Sequence, residues 1–416
     1  MPDVLLPDVM LIEGSDYETF PVGGQLTMVR CLMKLYGPRL ALVGMSKGDE
    51  PIGQWIEKSI DGIPYWFLSV CRRQPAAAKP LVPVRVTFFR ALRRFRRQIL
   101  EKGCRNVFVQ GQEVLLAVAD WEWDSLCFDF PGVENPLSLS RYWYGQHLAA
   151  LYEKRLFAAL DHCDVVFATA DKAAIARMIA RSQGRLSPDR VIQLPTSVNT
   201  DLFHPVDMAA MRRELGIPID GTVFVNAGRI GRFKGWELLI DSFAQFESKH
   251  PGSHLIFAGD GEDREVLLQH AKLRNVAASV RITGFLPQSR VADYLNAASL
   301  VLFGSFAEGW CTAMVEALAC GKPLVSTAVS GTDELIQPGG NGFVVTDRDP
   351  LQYCSAMEQA LVLPNARQIS LAIAGQFDLP HMRERLARYW PPFRDRAAGL
   401  FASAAVEYAQ SASALE

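Results

Sequence analysis

The chain of 416 residues is long for one domain and suits two α/β domains of roughly 200 residues each. Hydrophobic residues at 49% and charged residues at 21% give a globular balance. The net charge of -2 splits as 24 Lys+Arg against 21 Asp+Glu in residues 1–200 and 19 against 24 beyond, too even for a nucleic-acid partner.

In chain order, short apolar runs at Val9–Ile12, Leu40–Gly44, Tyr65–Val70, Val107–Gln110, Leu126–Phe130, Val165–Ala168 and Val191–Leu194 predict buried strands. Amphipathic stretches at Gly24–Tyr36, Val84–Lys102 and Ser138–Leu160 predict helices between them. Pro195, Pro205, Gly216, Pro218 and Gly221 punctuate a break between halves. The second half repeats the scheme with Val223–Ala227, Leu255–Ala258, Val280–Ile282, Leu300–Phe303 and Leu324–Thr327, and helices starting near Gly235, Glu262, Ser289 and Thr312. After Phe343-Val344-Val345 the pattern turns helical. The reading is α/β: two Rossmann-like domains with parallel sheets facing a central cleft, at 1–198 and 199–380, followed by a helical tail at 381–416 packing back toward the first domain.

The eight cysteines are scattered without a CxxC pair, which argues against a disulfide framework or zinc site and fits a reducing cytosol. His250 and His254 have metal-ligand spacing, but Pro251-Gly252 breaks the helix that spacing needs, so no metal site is expected. No basic region leads into an apolar run at the N-terminus, and no segment approaches ~18–20 uninterrupted apolar residues. A cytoplasmic protein is expected.

The informative block is Phe303–Thr327, FGSFAEGWCTAMVEALACGKPLVST, which reads strand, loop, helix, stop, strand. Thr312 suits the N-cap, Gly321 the left-handed C′ position, and Pro323 stops the helix. Glu308 then lies in the loop and Glu316 about one turn inside the helix. The backbone amides of Cys311–Met314 between them can bind an anion. An anion cradle flanked by two carboxylates matches a diphosphate with a sugar on either side. Two glutamates eight apart are also a common coincidence in helix-rich chains, so the whole block carries the argument.

That block resembles the E-x7-E motif of the GT-B glycosyltransferases, in particular the large retaining family of glycosyl transferases group 1. The resemblance implies that Glu308 holds hydroxyls of the transferred sugar and Glu316 the ribose. The segment Asn226–Gly235 (NAGRIGRFKG) resembles the family's GR…KG segment, with Gly228 beside the donor and Arg229 and Lys234 on its phosphates. A planar guanidinium suits two phosphate oxygens and an ammonium suits a point charge. Pro21–Gln25 resembles the family's glycine pair, which places Gly23 and Gly24 near the diphosphate. Phe257–Gly261 and Ile282–Leu286 sit where family backbone faces the base, which adds Gly284, Phe285 and Leu286. The donor loop adds Gly309, Trp310, Cys311 and Thr312. The implied function is transfer of a sugar from a UDP- or GDP-sugar to a glycan or lipid-linked acceptor, with retention, without cofactor or metal.

One departure stands out. Where family members often carry a histidine facing the sugar, this chain has Pro131, with Asp129 and His147 the nearest polar candidates. A sugar-nucleotide 2-epimerase and a catalytically silent nucleotide-sugar binding subunit therefore stay open as alternatives. Arg85, Arg90, Arg93, Arg94, Arg96, Arg97, Lys102 and Arg105 face Glu101 alone across Val84–Lys102 and just beyond. This composition fits a helix on an anionic membrane surface, and equally a sheet-packing helix with an arginine-rich outer side.

Overall fold

In a computed structural model the described residues are 7–21, 23–73, 82–137 and 143–393, without the side chains of 143–146. Contacts divide the chain into two compact units, Met1–Pro195 with Pro380–Glu416, and Thr196–Leu379.

The first unit holds an eight-stranded sheet. Its strands are β1 (Val9–Ile12), β2 (Leu40–Ser46), β3 (Trp55–Ile60), β4 (Ile63–Arg72), β5 (Asn106–Gln110), β6 (Ser125–Phe130), β7 (Val165–Ala168) and β8 (Val191–Gln193), in the order β3-β4-β2-β1-β5-β6-β7-β8. All pairings are parallel except β3 with β4. The sequence reading missed β3 because Trp55-Ile-Glu-Lys-Ser-Ile60 alternates half-buried and exposed positions rather than forming an apolar run. The Asp61-Gly62 turn, with φ of 50° and 81°, was the available signal for this edge hairpin. The helix Leu379–Tyr389 belongs to this unit: Arg385 Nη1 donates to Gln193 O at 3.1 Å and Trp390 Nε1 to Ser125 Oγ at 2.8 Å. Residues 394–416 of the expected tail, and 138–142 of the expected Ser138–Leu160 helix, lie outside the described residues.

The second unit holds a wholly parallel six-stranded sheet. Its strands are β9 (Val223–Ala227), β10 (His254–Ala258), β11 (Val280–Ile282), β12 (Leu300–Phe303), β13 (Leu324–Thr327) and β14 (Gly342–Val345), in the order β11-β10-β9-β12-β13-β14. Alternate side chains enter two separate cores. Val223, Val225, Val301 and Phe303 pack with the helix Thr312–Ala319, while Phe224, Leu300 and Leu302 pack with the helix Trp236–Lys249. Burial on both faces explains why these strands read as continuous apolar runs.

The basic segment is not one helix. It breaks at Phe95 into Val84–Arg94 and Arg96–Glu101. Phe88, Leu92 and Ile99 are fully buried in the core of the first unit, so the apolar stripe is spent on the sheet and is not free to enter a bilayer. The arginines lie outside it, with Arg93 on Asp120, Arg97 on Glu101 and Arg96 over the Trp121 ring. Among the described residues no helix is long and apolar enough to cross a membrane.

Candidate active site

Loops at the carboxyl ends of β9, β10, β11 and β12 carry the candidate residues of the second unit, the end of an open α/β sheet at which ligands bind. Two of these loops are locked together by glycine. Gly235 has φ +62°, and a Cβ there would overlap the carbonyl oxygen of Gly304, so only glycine permits the approach. Phe306 N donates to Phe233 O at 2.9 Å across the same contact. The result sets Lys234 Nζ 2.6 Å from Glu308 Oε1, an oxygen that also accepts from Ser305 Oγ at 2.5 Å. Burial works against the Lys234 charge, yet Glu308 holds the ammonium above the ordinary lysine range. Lys234 therefore remains a fixed cation, and Glu308 keeps a second oxygen for a hydroxyl.

Side chains that sequence reasoning missed hold this loop in place. Thr327 Oγ1 donates to Ser305 O at 2.6 Å, and Arg348 donates to Ser305 O and Gly304 O at 3.2 and 2.9 Å while stacking on the Phe306 ring. Arg348 lies 40 or more residues along the chain from its partners, so no local pattern could reveal it.

Arg229 shares the β9 loop with Lys234 but not its partner. Its Nε donates to Glu262 Oε2 at 2.9 Å, and both side chains are more than half exposed. Such a pair is worth about 0–1 kcal/mol, so a phosphate can displace Glu262 at little cost. Gly228, at φ +139°, lies with its carbonyl against Gly259, where a Cβ would overlap it, which knits the β9 and β10 loops. Gly284 has φ +81°, Phe285 is 71% exposed, and Leu286 is half-buried against the core.

The helix Thr312–Ala319 is where expectation and structure part. Cys311, not Thr312, is the N-cap, and Thr312 starts the helix. The amides of Thr312 and Met314 already donate to Trp310 O and Cys311 O, which leaves those of Cys311 and Ala313 for an anion among the described residues. The Trp310 indole packs on Phe377 and Gly331 in the core, and its buried Nε1 has no partner among the described residues. Gly309 O accepts from Ser330 Oγ at 2.7 Å. Burial pushes the Cys311 thiol up to about 12, which keeps it neutral beside Glu308, Lys234 and Glu316.

Glu316 is the one charged residue of that helix, whose neighbours Val315, Ala317 and Leu318 are buried. It is 8% exposed, and no side chain or amide of the described residues bonds to its carboxylate. Burial alone raises it to about 7. A buried carboxyl without a partner costs free energy unless something else supplies the hydrogen bonds.

In the first unit, Gly23 (φ +120°) caps the helix Gly24–Tyr36, and nothing crowds a Cβ at Gly23. The loop before this pair is organised by buried Asp16, which accepts the amides of Glu18, Thr19 and Phe20 and pairs with Arg73. Asp129, one candidate for the role vacated at Pro131, is fully buried and takes hydrogen bonds from Gln110 Nε2 at 3.0 Å and Thr169 Oγ1 at 3.2 Å. It is closed into the fold and cannot face a sugar. His147, the other candidate, is exposed on the helix Trp143–Ala159. Glu13, just after β1, was not singled out in the sequence. It is 3% exposed with Oε2 unpartnered, and burial, then Glu113, raises it well above the usual range. Among the described residues no three His, Cys, Asp or Glu side chains converge as a metal site.

Comparison with known proteins fits this architecture. Residues 207–372, all within the second unit, match the family model of glycosyl transferases group 1. A D-inositol 3-phosphate glycosyltransferase of Acidothermus cellulolyticus is 31% identical over 185 residues, 42% of this chain and 41% of that protein. The chain thus spans under half the length of this curated relative. Anabaena HepE in complex with UDP superimposes with TM-score 0.68 at 19% identity, over 92% of this chain and 98% of its own. Sucrose-phosphate synthase of Thermosynechococcus elongatus gives 0.70 at 19% identity, over 96% and 100%. Residues 207–372 are thus similar to a domain of the glycosyl transferases group 1 family, and the chain that carries them has the GT-B fold.

Proposed function

We propose that this protein is a retaining, metal-independent glycosyltransferase that binds a nucleoside diphosphate sugar in its second unit and an acceptor in its first. The observation that carries the reading is the fixed Lys234–Glu308 pair, which joins the β9 loop to the β12 loop that leads to Glu316, a carboxyl without a partner among the described residues. Glu316 would accept two ribose hydroxyls, Glu308 would accept hydroxyls of the transferred sugar, and Lys234 with the amides of Cys311 and Ala313 would face the phosphates. When the sugar–phosphate bond breaks, charge grows on the diphosphate, so groups aimed there stabilise the transition state more than the ground state. The departing phosphate itself takes the acceptor proton on the same face of the sugar, which requires no protein nucleophile. A UDP-sugar is the first donor to test, since the similarly folded HepE was solved with UDP.

The acceptor is proposed to be a glycan or lipid-linked sugar in polysaccharide or glycolipid synthesis at the cytoplasmic side of a membrane. The exposed Arg93, Arg94, Arg96 and Arg97 support electrostatic contact with anionic lipid, at ~1 kcal/mol per arginine. Transfer of labelled sugar from UDP-sugars in EDTA, with and without magnesium or manganese, tests the catalytic reading. Activity should persist in EDTA, and activity that vanishes and returns with metal removes the metal-independent mechanism.

A further inference from the structure

A cavity of about 490 Å³ lies in the second unit, at the amino ends of the strands and away from the loops that carry Lys234 and Glu308. Its walls are the start of the helix Met208–Glu214, the turn Cys320–Lys322 leading into β13, and Arg367 on the helix Ala366–Ala374. Lys322 is only 8% exposed, and its ammonium donates to Asn296 O at 2.7 Å and Ala298 O at 3.1 Å. Those carbonyls end the helix Gln288–Ala297, whose negative pole suits a cation. An ammonium has three N–H groups, so one is left without a partner among the described residues. Behind it, Arg212 is 2% exposed and bonds to Ala297 O, Ile219 O, Gly221 O and Ser299 Oγ.

Two cations, Lys322 and Arg367, thus line the cavity with Arg212 buried behind them, and none of the three forms an ion pair with a carboxylate of the described residues. Burial, with Arg212 and Arg367 nearby, pushes the Lys322 ammonium down to about 8. The one acid on the wall, Asp207, uses Oδ1 to cap its own helix at Ala210 N. Backbone carbonyls and Ser299 account for Arg212, and helix capping for two Lys322 donors. It does not account for the third donor, for Arg367 across Gly321, or for the space between them.

We propose that this cavity binds a phosphate group, as inorganic phosphate or as the phosphomonoester of a small metabolite, between Lys322 Nζ and the Arg367 guanidinium. Charge-assisted hydrogen bonds from two such cations suit a dianion of this size. The site is separate from the donor loop and does not depend on the transferase reading.

Calorimetric titration of the full chain with inorganic phosphate, and separately with a hexose 6-phosphate, tests the proposal. Phosphate can also reach the donor site, so Lys234→Ala is titrated in parallel. Binding should survive Lys234→Ala and weaken by about tenfold or more in Arg367→Gln, an exposed position whose change leaves the core intact. Lys322→Met should weaken it equally wherever circular dichroism shows a folded chain. Equal affinity for both probes assigns the site to phosphate itself, and tighter monoester binding assigns it to a metabolite. No binding at millimolar phosphate, or binding lost in Lys234→Ala and unchanged in Arg367→Gln, overturns the proposal.

Discussion

Two buried carboxyls, one in each unit, separate a group that completes the fold from one that awaits a ligand. Asp129 on β6 and Glu316 are both pushed up to about 7 by burial. Asp129 is opposed in this by hydrogen bonds from Gln110 and Thr169, which close its valences inside the sheet. Glu316 has no such partners among the described residues and shares its surroundings with Glu308 and Lys234, whose charges both reach the Cys311 thiol. Acidity alone therefore does not mark a functional carboxyl, whereas unfilled hydrogen-bonding capacity beside fixed charges does.

The sharpest way to break this comparison is to remove the fixed cation. Lys234→Ala should lower turnover by about 10²–10³-fold, the usual loss for one preorganised donor. It also strands Glu308, whose side chain is 11% exposed. Steady-state transfer rates with saturating donor read this out, and an unchanged rate would remove Lys234 from the leaving-group role.

Next in size is a pH effect. The fold raises Glu316 from an ordinary 4.5 to about 7, so folding favours its neutral form. That contribution is complete below pH 4.5 and is lost as pH rises through about 7, at most about 3 kcal/mol. Glu316→Gln is neutral throughout and should lose less stability than wild type across that window in urea unfolding. Asp129 contributes a loss of the same sign, so a residual slope should persist in the variant. Identical slopes would mean that the Glu316 carboxyl is already partnered in solution.

The converse change sharpens the comparison from the other side. Asp129→Ala leaves Gln110 Nε2 without its acceptor, while the Thr169 hydroxyl keeps Leu194 O at 3.0 Å, and should cost about 1–3 kcal/mol of stability. Donor affinity measured on the folded fraction should not move. A tenfold loss of UDP affinity in this variant would show that Asp129 does more than complete the fold.

Much of this was legible in the sequence because both sheets bury their strands on two faces, which leaves apolar runs that helical stretches separate. The half-exposed β3 escaped for the opposite reason, since its alternating residues imitate a polar stretch. The Lys234–Glu308 partnership was foreshadowed by motif but not by geometry, because it depends on Gly235 meeting Gly304 across 69 residues. Trp310 and Thr312 show the limit of reading a motif as a list of contacts, for the indole faces Phe377 and the cap falls on Cys311. The arginine-rich segment was read correctly as amphipathic, yet only packing could reveal that Phe88, Leu92 and Ile99 are committed to the core. Arg348 and Glu13 left no local signal, since each acquires meaning only from neighbours distant in the chain.

Whether Glu316 is a ligand group is read from the affinity of UDP for wild type and Glu316→Ala, titrated in EDTA. Losing a hydrogen-bonding carboxylate on ribose should cost roughly 1.5–3 kcal/mol, about a ten- to hundredfold rise in Kd. Wild type should bind in EDTA, with the folded variant weaker by that factor. Equal affinity in the two proteins would contradict the central claim and leave the unpartnered carboxyl without a function.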